Sequence, residues 1–226
     1  MTLPTTIEKL TRFIGQDDPT CQKIVGKFHA HLTLNVSVDQ LDLCRDFCRD
    51  QKVKLTIIDL ENATGQQQTD VMTTSHYKDT QPGAVRRITD HLLNLAKAAE
   101  QHKFPVLRAK LEHESLPSFE TFDEHRYHEV HIKLDMPRDS FNNDYQRLKQ
   151  LGADHGFVPS RNPLQRGETS VTQFVNLRIY EGQHSDADVQ VQTIEQSLDQ
   201  AGYQRLETKR ETVVFDTAQE LDGWWA

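Results

Sequence analysis

The sequence lacks any long hydrophobic run: no stretch approaches the roughly 18 to 20 apolar residues that a helix needs to cross a bilayer. Its N-terminus lacks the basic region followed by an apolar one that marks a secretory signal. Cysteine is scarce, with three residues and no CxxC spacing, which is typical of a reducing compartment and argues against a disulfide framework. We therefore expect a cytoplasmic protein that does not associate with membranes.

Positive charge is also in short supply, with 26 Lys and Arg residues against 34 Asp and Glu residues, for a net charge of −8. Such a chain lacks the broad positive field that drives binding to phosphate backbones, so general nucleic-acid binding is excluded. A small anionic ligand remains compatible with the composition if cations cluster locally. The sequence contains no GxGxxG, GxxxxGK[ST], GxSxG or HExxH pattern, so the enzyme classes defined by those motifs have no support.

Hydrophobic periodicity predicts a regular order of elements. Residues 28–35 alternate apolar and polar side chains, as a strand with one buried face does. Residues 85–99 repeat apolar side chains at intervals of three and four, the pattern of an amphipathic helix. Further strands are predicted at 53–60, 71–77, 104–114, 128–136, 172–180 and 211–217, and further helices at 38–51, 140–152 and 187–201.

The order β-α-β-β-α-β appears twice, and setting His31 over His131 aligns "HLTLN" with "HIKLD". We interpret this as an internal duplication. The predicted fold is α+β, with tandem duplicated ferredoxin-like βαββαβ units whose antiparallel sheets carry helices on one face. The predicted organisation is a leader at 1–24, a first half at 25–114, a linker at 115–126 and a second half at 127–226.

The strand face opposite the apolar side chains carries most of the reactive groups. If two such faces turn toward each other, they enclose a polar cleft, and burying charges there is costly unless the charges pair or hold a ligand. The predicted ligand-binding residues are His29, Thr33, Arg108, Lys110 and Glu112 in the first half and Glu129, Lys133, Asn176 and Arg178 in the second.

Histidine is the side chain whose ordinary pKa lies near neutrality, so His31 and His131 are the predicted catalytic acid and base. Three alternatives remain open: a non-catalytic protein that binds an anionic metabolite, a structural module with all charges paired internally, and a sheet face that is simply solvated. A homodimer is compatible with each. We predict no cofactor and no metal, because the histidines at 125–131 do not point to one side of a strand.

"HLTL" at 31–34 resembles the HxTx signature of the 2H phosphoesterases, bilobal enzymes that open 2′,3′-cyclic phosphates and related phosphodiesters. In that family two such motifs supply a histidine pair for acid–base catalysis and two hydroxyls for the phosphate, without a metal. The resemblance implies these roles for His31, Thr33 and His131. Lys133 replaces the second hydroxyl residue and could hold a phosphate as a point charge.

"EVHIK" at 129–133 keeps the first and last letters of the ExExK motif and is similar to the opening of the CYTH triphosphate-binding family. This resemblance implies a triphosphate ligand, with Arg178, Lys209 and Arg210 as cations. His131 interrupts the acidic pair that binds metal in that family.

Overall fold

The computed structural model describes residues 4–16, 18–61, 65–114, 126–163, 169–180, 184–219 and 221. In chain order its elements are α1 (Thr6–Gly15), α2 (Pro19–Lys23), β1 (Gly26–Leu34), a 3-10 turn (Val38–Gln40), α3 (Leu41–Asp50), β2 (Lys54–Glu61), β3 (Gln67–Asp79), α4 (Ala84–Gln101), β4 (Val106–Glu114), β5 (Tyr127–Pro137), α5 (Phe141–His155), β6 (Val158–Arg161), β7 (Ser170–Ile179), α6 (His184–Gln200) and β8 (Gln204–Asp216). Among these helices, none is both long and apolar enough to cross a bilayer.

The strands form one closed barrel in the order β1-β3-β2-β6-β7-β5-β8-β4. The predicted tandem duplicated ferredoxin-like units with separate sheets are therefore wrong, although the predicted strands and helices occur in the predicted order, with α1 and α2 added before them and β6 added between α5 and β7. Strand β2 pairs with β6, with Asp59 opposite Arg161. The alternation of apolar and polar residues along a strand indicates which face packs on the core. It does not indicate which strand, distant in sequence, forms backbone hydrogen bonds with it.

Backbone contacts divide the chain into two compact units. Unit 1 comprises Met1–Thr56, Val71–Leu116 and Thr212–Glu220, and unit 2 comprises Ile57–Asp70, Pro117–Glu211 and Leu221–Ala226. Residues 115–125 of the predicted linker lie outside the described residues. The predicted leader contains two helices, of which α1 packs against α4 and β4.

The core of unit 1 lies between α4 and the apolar face of β1 and β4. The spacing predicted for α4 is confirmed, because Val85, Ile88, Leu92 and Leu95 are all buried. They cover the side chains of β1 that alternate with its histidines. Each large apolar side chain that is buried in this way contributes about 1.5 to 3 kcal/mol to the free energy of folding. The covered side chains of β1 are Phe28, Ala30, Leu32 and Leu34.

The core of unit 2 is built in the same manner from β5, β7, α5 and α6. On β5, the buried side chains Val130, Ile132, Leu134 and Met136 form one face. Leu148 of α5 and Ile194 and Leu198 of α6 pack in the same cluster. This arrangement leaves His131 and Lys133 on the opposite face of β5.

His113 on β4 is a buried core residue of unit 1. Its Nε2 lies 3.1 Å from the carbonyl oxygen of Val25, which can only accept, so Nε2 carries the proton. Its Nδ1 has no hydrogen-bond partner in the described part of the chain. The ring contacts Phe28 edge-on and leaves no room beside Gly26, whose φ is +141° and where a Cβ would lie 2.6 Å from Nε2.

The burial of His113 predicts acid sensitivity. Desolvation lowers the pKa of His113, and the Val25 carbonyl and the charge of Glu114 oppose this shift only in part. Because the unfolded chain binds the proton more readily, the free energy of unfolding should fall as the pH drops below about 6.5. His113→Leu should flatten this slope in urea unfolding measured across that range, whereas His102→Asn, at an exposed position, should not. An unchanged slope for His113→Leu would contradict the prediction.

Candidate functional site

The polar face of unit 1 is buried. Strand β1 pairs on one side with β3 and on the other with β4, so that His31 lies opposite both Thr74 and Lys110. The exposed fractions are 6% for Arg108, 8% for Lys110 and 2% for Glu112. The alternative of a solvated face therefore does not apply here, and each charge requires a partner.

In unit 1, the imidazole of His31 is bonded at both nitrogens. Its Nε2 lies 3.1 Å from Oε2 of Glu112, and its Nδ1 lies 3.1 Å from Oγ1 of Thr74. Lys110 Nζ lies 2.5 Å from the other oxygen of Glu112, and Thr56 Oγ1 lies 2.9 Å from Thr74 Oγ1. No nitrogen of this ring is left for a ligand unless one of these contacts breaks.

Arg108 forms a buried ion pair with Asp216 in the same unit. Its Nε donates to Oδ1 at 2.9 Å and its Nη2 donates to Oδ2, and the aspartate side chain is fully buried. Burial acts to raise the pKa of Asp216, but the charge and hydrogen bonds of Arg108 hold that pKa below the ordinary aspartate value. Asp216 thus neutralises the cation that the sequence predicted as an anion ligand.

The remaining predicted residues of unit 1 lie on the same strand. His29 Nε2 is 3.0 Å from Oε1 of Glu114, and its ring contacts that of His76 edge-on. Thr33 is 6% exposed and lies opposite Arg108. Its hydroxyl forms no hydrogen bond with another described residue.

In unit 2, the tautomer of His131 is fixed by its neighbour. Asn176 Nδ2 donates to the carbonyl oxygen of Val158 at 2.9 Å and to Oγ of Ser160 at 2.7 Å. The amide oxygen of Asn176 therefore faces His131, where it accepts from Nδ1 at 2.8 Å. With the proton on Nδ1, the Nε2 of a neutral His131 is the basic nitrogen.

A carboxylate and a lysine of β8 lie beside that nitrogen. Glu211 Oε2 is 3.7 Å from His131 Nε2, which is beyond hydrogen-bond distance but within the range of an ion pair. Lys209 Nζ lies 3.0 Å from the other oxygen of Glu211. The His131 side chain is 26% exposed, against 14% for His31.

Two more charged groups lie on this face of β5. Glu129 accepts from Nε of Arg178 at 2.8 Å, and the guanidinium lies over the ring of Tyr127. Lys133 is half-buried and forms no ion pair or hydrogen bond with any described residue. The other cations named on this face are paired, so Lys133 is a cation near His131 that forms no ion pair with a described residue.

One arrangement therefore occurs in each unit. The Nε2 of a histidine lies near a carboxylate on the adjoining strand, and that carboxylate holds a lysine two residues earlier in the chain. The sequence pattern predicts the histidines but not Glu211, Asp216 or Thr74. The repeated Lys-x-Glu spacing at 110–112 and 209–211 is a signal that could have identified Glu211.

Comparison with known proteins identifies no family. No family model and no curated protein matches the chain. A protein from Lactobacillus acidophilus NCFM whose structure is described as that of a monooxygenase is similar to this chain at a TM-score of 0.33 and 7% sequence identity. The match covers 84% of this chain and 93% of that one. A mutant chlorite dismutase from Candidatus Nitrospira defluvii is similar at a TM-score of 0.31 and 10% sequence identity. The match covers 93% of this chain and 99% of that one. Similarities at this level carry no argument about function.

Proposed function

We propose that the polar face of unit 2 binds a small anionic substrate and that His131 transfers a proton to or from it. The observation that carries this proposal is the fixed tautomer of His131, whose basic Nε2 has no hydrogen bond to a described residue. Lys133 supplies the charge that would attract the anion. In unit 1, by contrast, the corresponding imidazole is bonded at both nitrogens, which supports a structural role for His31.

The substrate class that we propose is a phosphate ester, because Lys133 supplies a positive charge near the basic nitrogen of His131. Lys133 would hold a phosphate oxygen as a point charge. Nε2 of His131 would take a proton from the attacking water or hydroxyl while Glu211 stabilises the imidazolium, and the same proton would pass to the departing alkoxide as the P–O bond breaks. Proton transfer of this kind contributes roughly 10² to 10⁴ in rate.

The test uses His131→Asn and Lys133→Met in the full chain. An asparagine amide can keep the hydrogen bond to Asn176 but has no basic nitrogen. With bis(p-nitrophenyl) phosphate and a 2′,3′-cyclic nucleotide as substrates, we expect His131→Asn to reduce kcat about 100-fold or more. Lys133→Met should chiefly raise KM, by about tenfold.

Matched variants keep this result interpretable. Lys97→Met removes an exposed lysine of α4 and should leave both constants unchanged. Circular dichroism establishes that each variant is folded. Full turnover in His131→Asn, or no detectable turnover of any phosphate ester by the unmodified chain, would reject the catalytic proposal.

A second candidate function is non-catalytic binding of the same kind of anion. It is favoured by the bonding of His31 at both ring nitrogens, because unit 1 then offers no second catalytic group. Calorimetric titration with phenyl phosphate separates the two, since saturable binding without turnover indicates a binding protein.

A cytoplasmic location belongs to the proposal as well, because the three cysteines, all within the described residues, form no disulfide.

A further inference from the structure

Side chains of the kind that bind transition metals share one face of three neighbouring strands in unit 1. His29 and His31 lie on β1, His76 lies on β3, and Glu112 and Glu114 lie on β4. Strand pairing places His29 directly opposite His76 on one side and opposite Glu112 on the other. These residues are distant in the sequence, so the pairing of the strands is what brings them together.

The distances among these groups select three of them. Two ligand atoms on one zinc ion are roughly 3.3 Å apart, because each lies about 2.0 to 2.1 Å from the metal in a tetrahedral arrangement. His29 Nε2 lies 3.0 Å from Oε1 of Glu114, which is close to that separation. Two imidazoles on one zinc ion have their ring centroids roughly 5 Å apart. The centroid of His29 is 4.5 Å from that of His76 but 6.5 Å from that of His31. His76 and Glu114 are therefore the partners of His29 that fit one ion.

The remaining carboxylate is held by other residues. Glu112 Oε2 lies 3.1 Å from Nε2 of His31, and its Oε1 lies 2.5 Å from Nζ of Lys110. A ring nitrogen of His29 comes within 4.8 Å of a Glu112 oxygen. Glu112 could nevertheless bind an ion only by giving up His31 or Lys110, so we do not count it as a ligand.

The group formed by His29, His76 and Glu114 is accessible from solvent. The side chain of His29 is 8% exposed and that of Glu114 is 29% exposed, while His76 is an exposed residue. An ion can therefore reach the three side chains, and water would complete a four-ligand site. Lys27 Nζ lies 3.4 Å from the other oxygen of Glu114, but its side chain is 64% exposed. Such an exposed ion pair is weak, so a divalent cation can displace the lysine.

We propose that His29, His76 and Glu114 bind one divalent transition-metal ion of the zinc type. Imidazole and carboxylate groups are ligands of zinc, whereas Mg²⁺ and Ca²⁺ favour sites made of oxygen atoms. The proposal replaces the prediction of no metal, which was based on the histidines at 125–131. It does not depend on the function proposed for His131, because all three ligands belong to unit 1 and His131 belongs to unit 2.

Competition between the metal-free full chain and a chromophoric zinc chelator tests the proposal, with protein prepared without a polyhistidine tag. We expect the chain to bind one Zn²⁺ ion, and excess Mg²⁺ should not displace it. His76→Gln and Glu114→Gln should each raise the Kd for zinc about tenfold or more, since the loss of a group that only supports a ligand already costs that much. Lys27→Met should lower the Kd, because it removes the cation that competes for Glu114.

Control variants and a spectroscopic measurement locate the ion. His102→Gln, at an exposed position outside the group, and His131→Asn should both leave the Kd for zinc unchanged. X-ray absorption at the zinc edge should show two imidazole ligands in the unmodified chain and fewer in His76→Gln. Circular dichroism establishes that each variant is folded. Unsaturable zinc binding, an unchanged Kd in a folded His76→Gln or Glu114→Gln variant, or a raised Kd in His131→Asn would overturn the proposal.

Discussion

Replacing Asp216 with alanine should lower the free energy of unfolding by about 3 to 5 kcal/mol, the largest effect expected for a single substitution in unit 1. The change removes a buried carboxylate that accepts two hydrogen bonds from Arg108 and one from the amide of Ala218. The guanidinium would remain buried without its charge partner, and this is the main source of the cost. Urea unfolding followed by circular dichroism measures it.

Two further variants identify the cause of that loss. In the double variant Asp216→Ala with Arg108→Leu no charge remains buried, so it should recover part of the lost stability. Asp199→Ala breaks an ion pair with Arg205 at an exposed position and should stay close to the unmodified protein. If Asp216→Ala lowers the free energy of unfolding as little as Asp199→Ala does, the buried pair of Arg108 and Asp216 does not stabilise the protein by the expected amount.

The same pair should make the protein sensitive to acid below the range in which His113 acts. The folded-state pKa of Asp216 is lowered, so its contribution to stability is present above the unfolded-state aspartate pKa of about 3.9. That contribution is lost as the pH falls from there toward the folded-state pKa.

Replacing Gly152 with alanine should destabilise the protein by about 1 to 3 kcal/mol, although alanine is the better helix former. Gly152 lies inside α5, and a Cβ there would be 2.5 Å from the carbonyl oxygen of Phe157 and 3.2 Å from its ring. The chain turns back at this point, with the amides of Gly156 and Phe157 donating to the carbonyl of Gly152. Thermal unfolding measures the effect.

Gly15 provides the matched control for that substitution. It is also a helical glycine, at the end of α1, and a Cβ there would meet no atom within 4 Å. Gly15→Ala should therefore be neutral or stabilising by up to about 1 kcal/mol. Equal effects at the two glycines would show that the close approach of Phe157 is not the cause.

The local periodicity of the sequence predicts which side chains form the apolar cores, and the structure confirms this for β1, β5 and α4. The periodicity could not predict where α5 ends. The sequence predicts an end at Gly152, but a glycine is needed there because Phe157 packs closely against it, not because the helix is capped there. The helix continues to His155 and ends at Gly156, whose φ of +75° suits a glycine. The four-residue strand β6 was missed for the same reason, since its pairing with β2 and β7 is non-local.

The candidate site was predictable only in part. Alternation correctly places His31 and His131 opposite the apolar faces of their strands. The ionic partners depend on folding, because Arg108 and Asp216 lie 108 residues apart and no local pattern joins them. The sequence could therefore indicate which groups share a face, but not that Arg108 and Lys110 are neutralised while Lys133 is not.

The shortness of β6 has a consequence for self-association. A strand of four residues, Val158–Arg161, is held by few backbone hydrogen bonds, so it should detach at a lower free energy than its longer neighbours. Detachment would leave the unpaired amides and carbonyls of β2 and β7 open to strands of other molecules. Asp59 and Arg161, both partly exposed, place charges at this point and would discourage such aggregation when the protein is heated or concentrated.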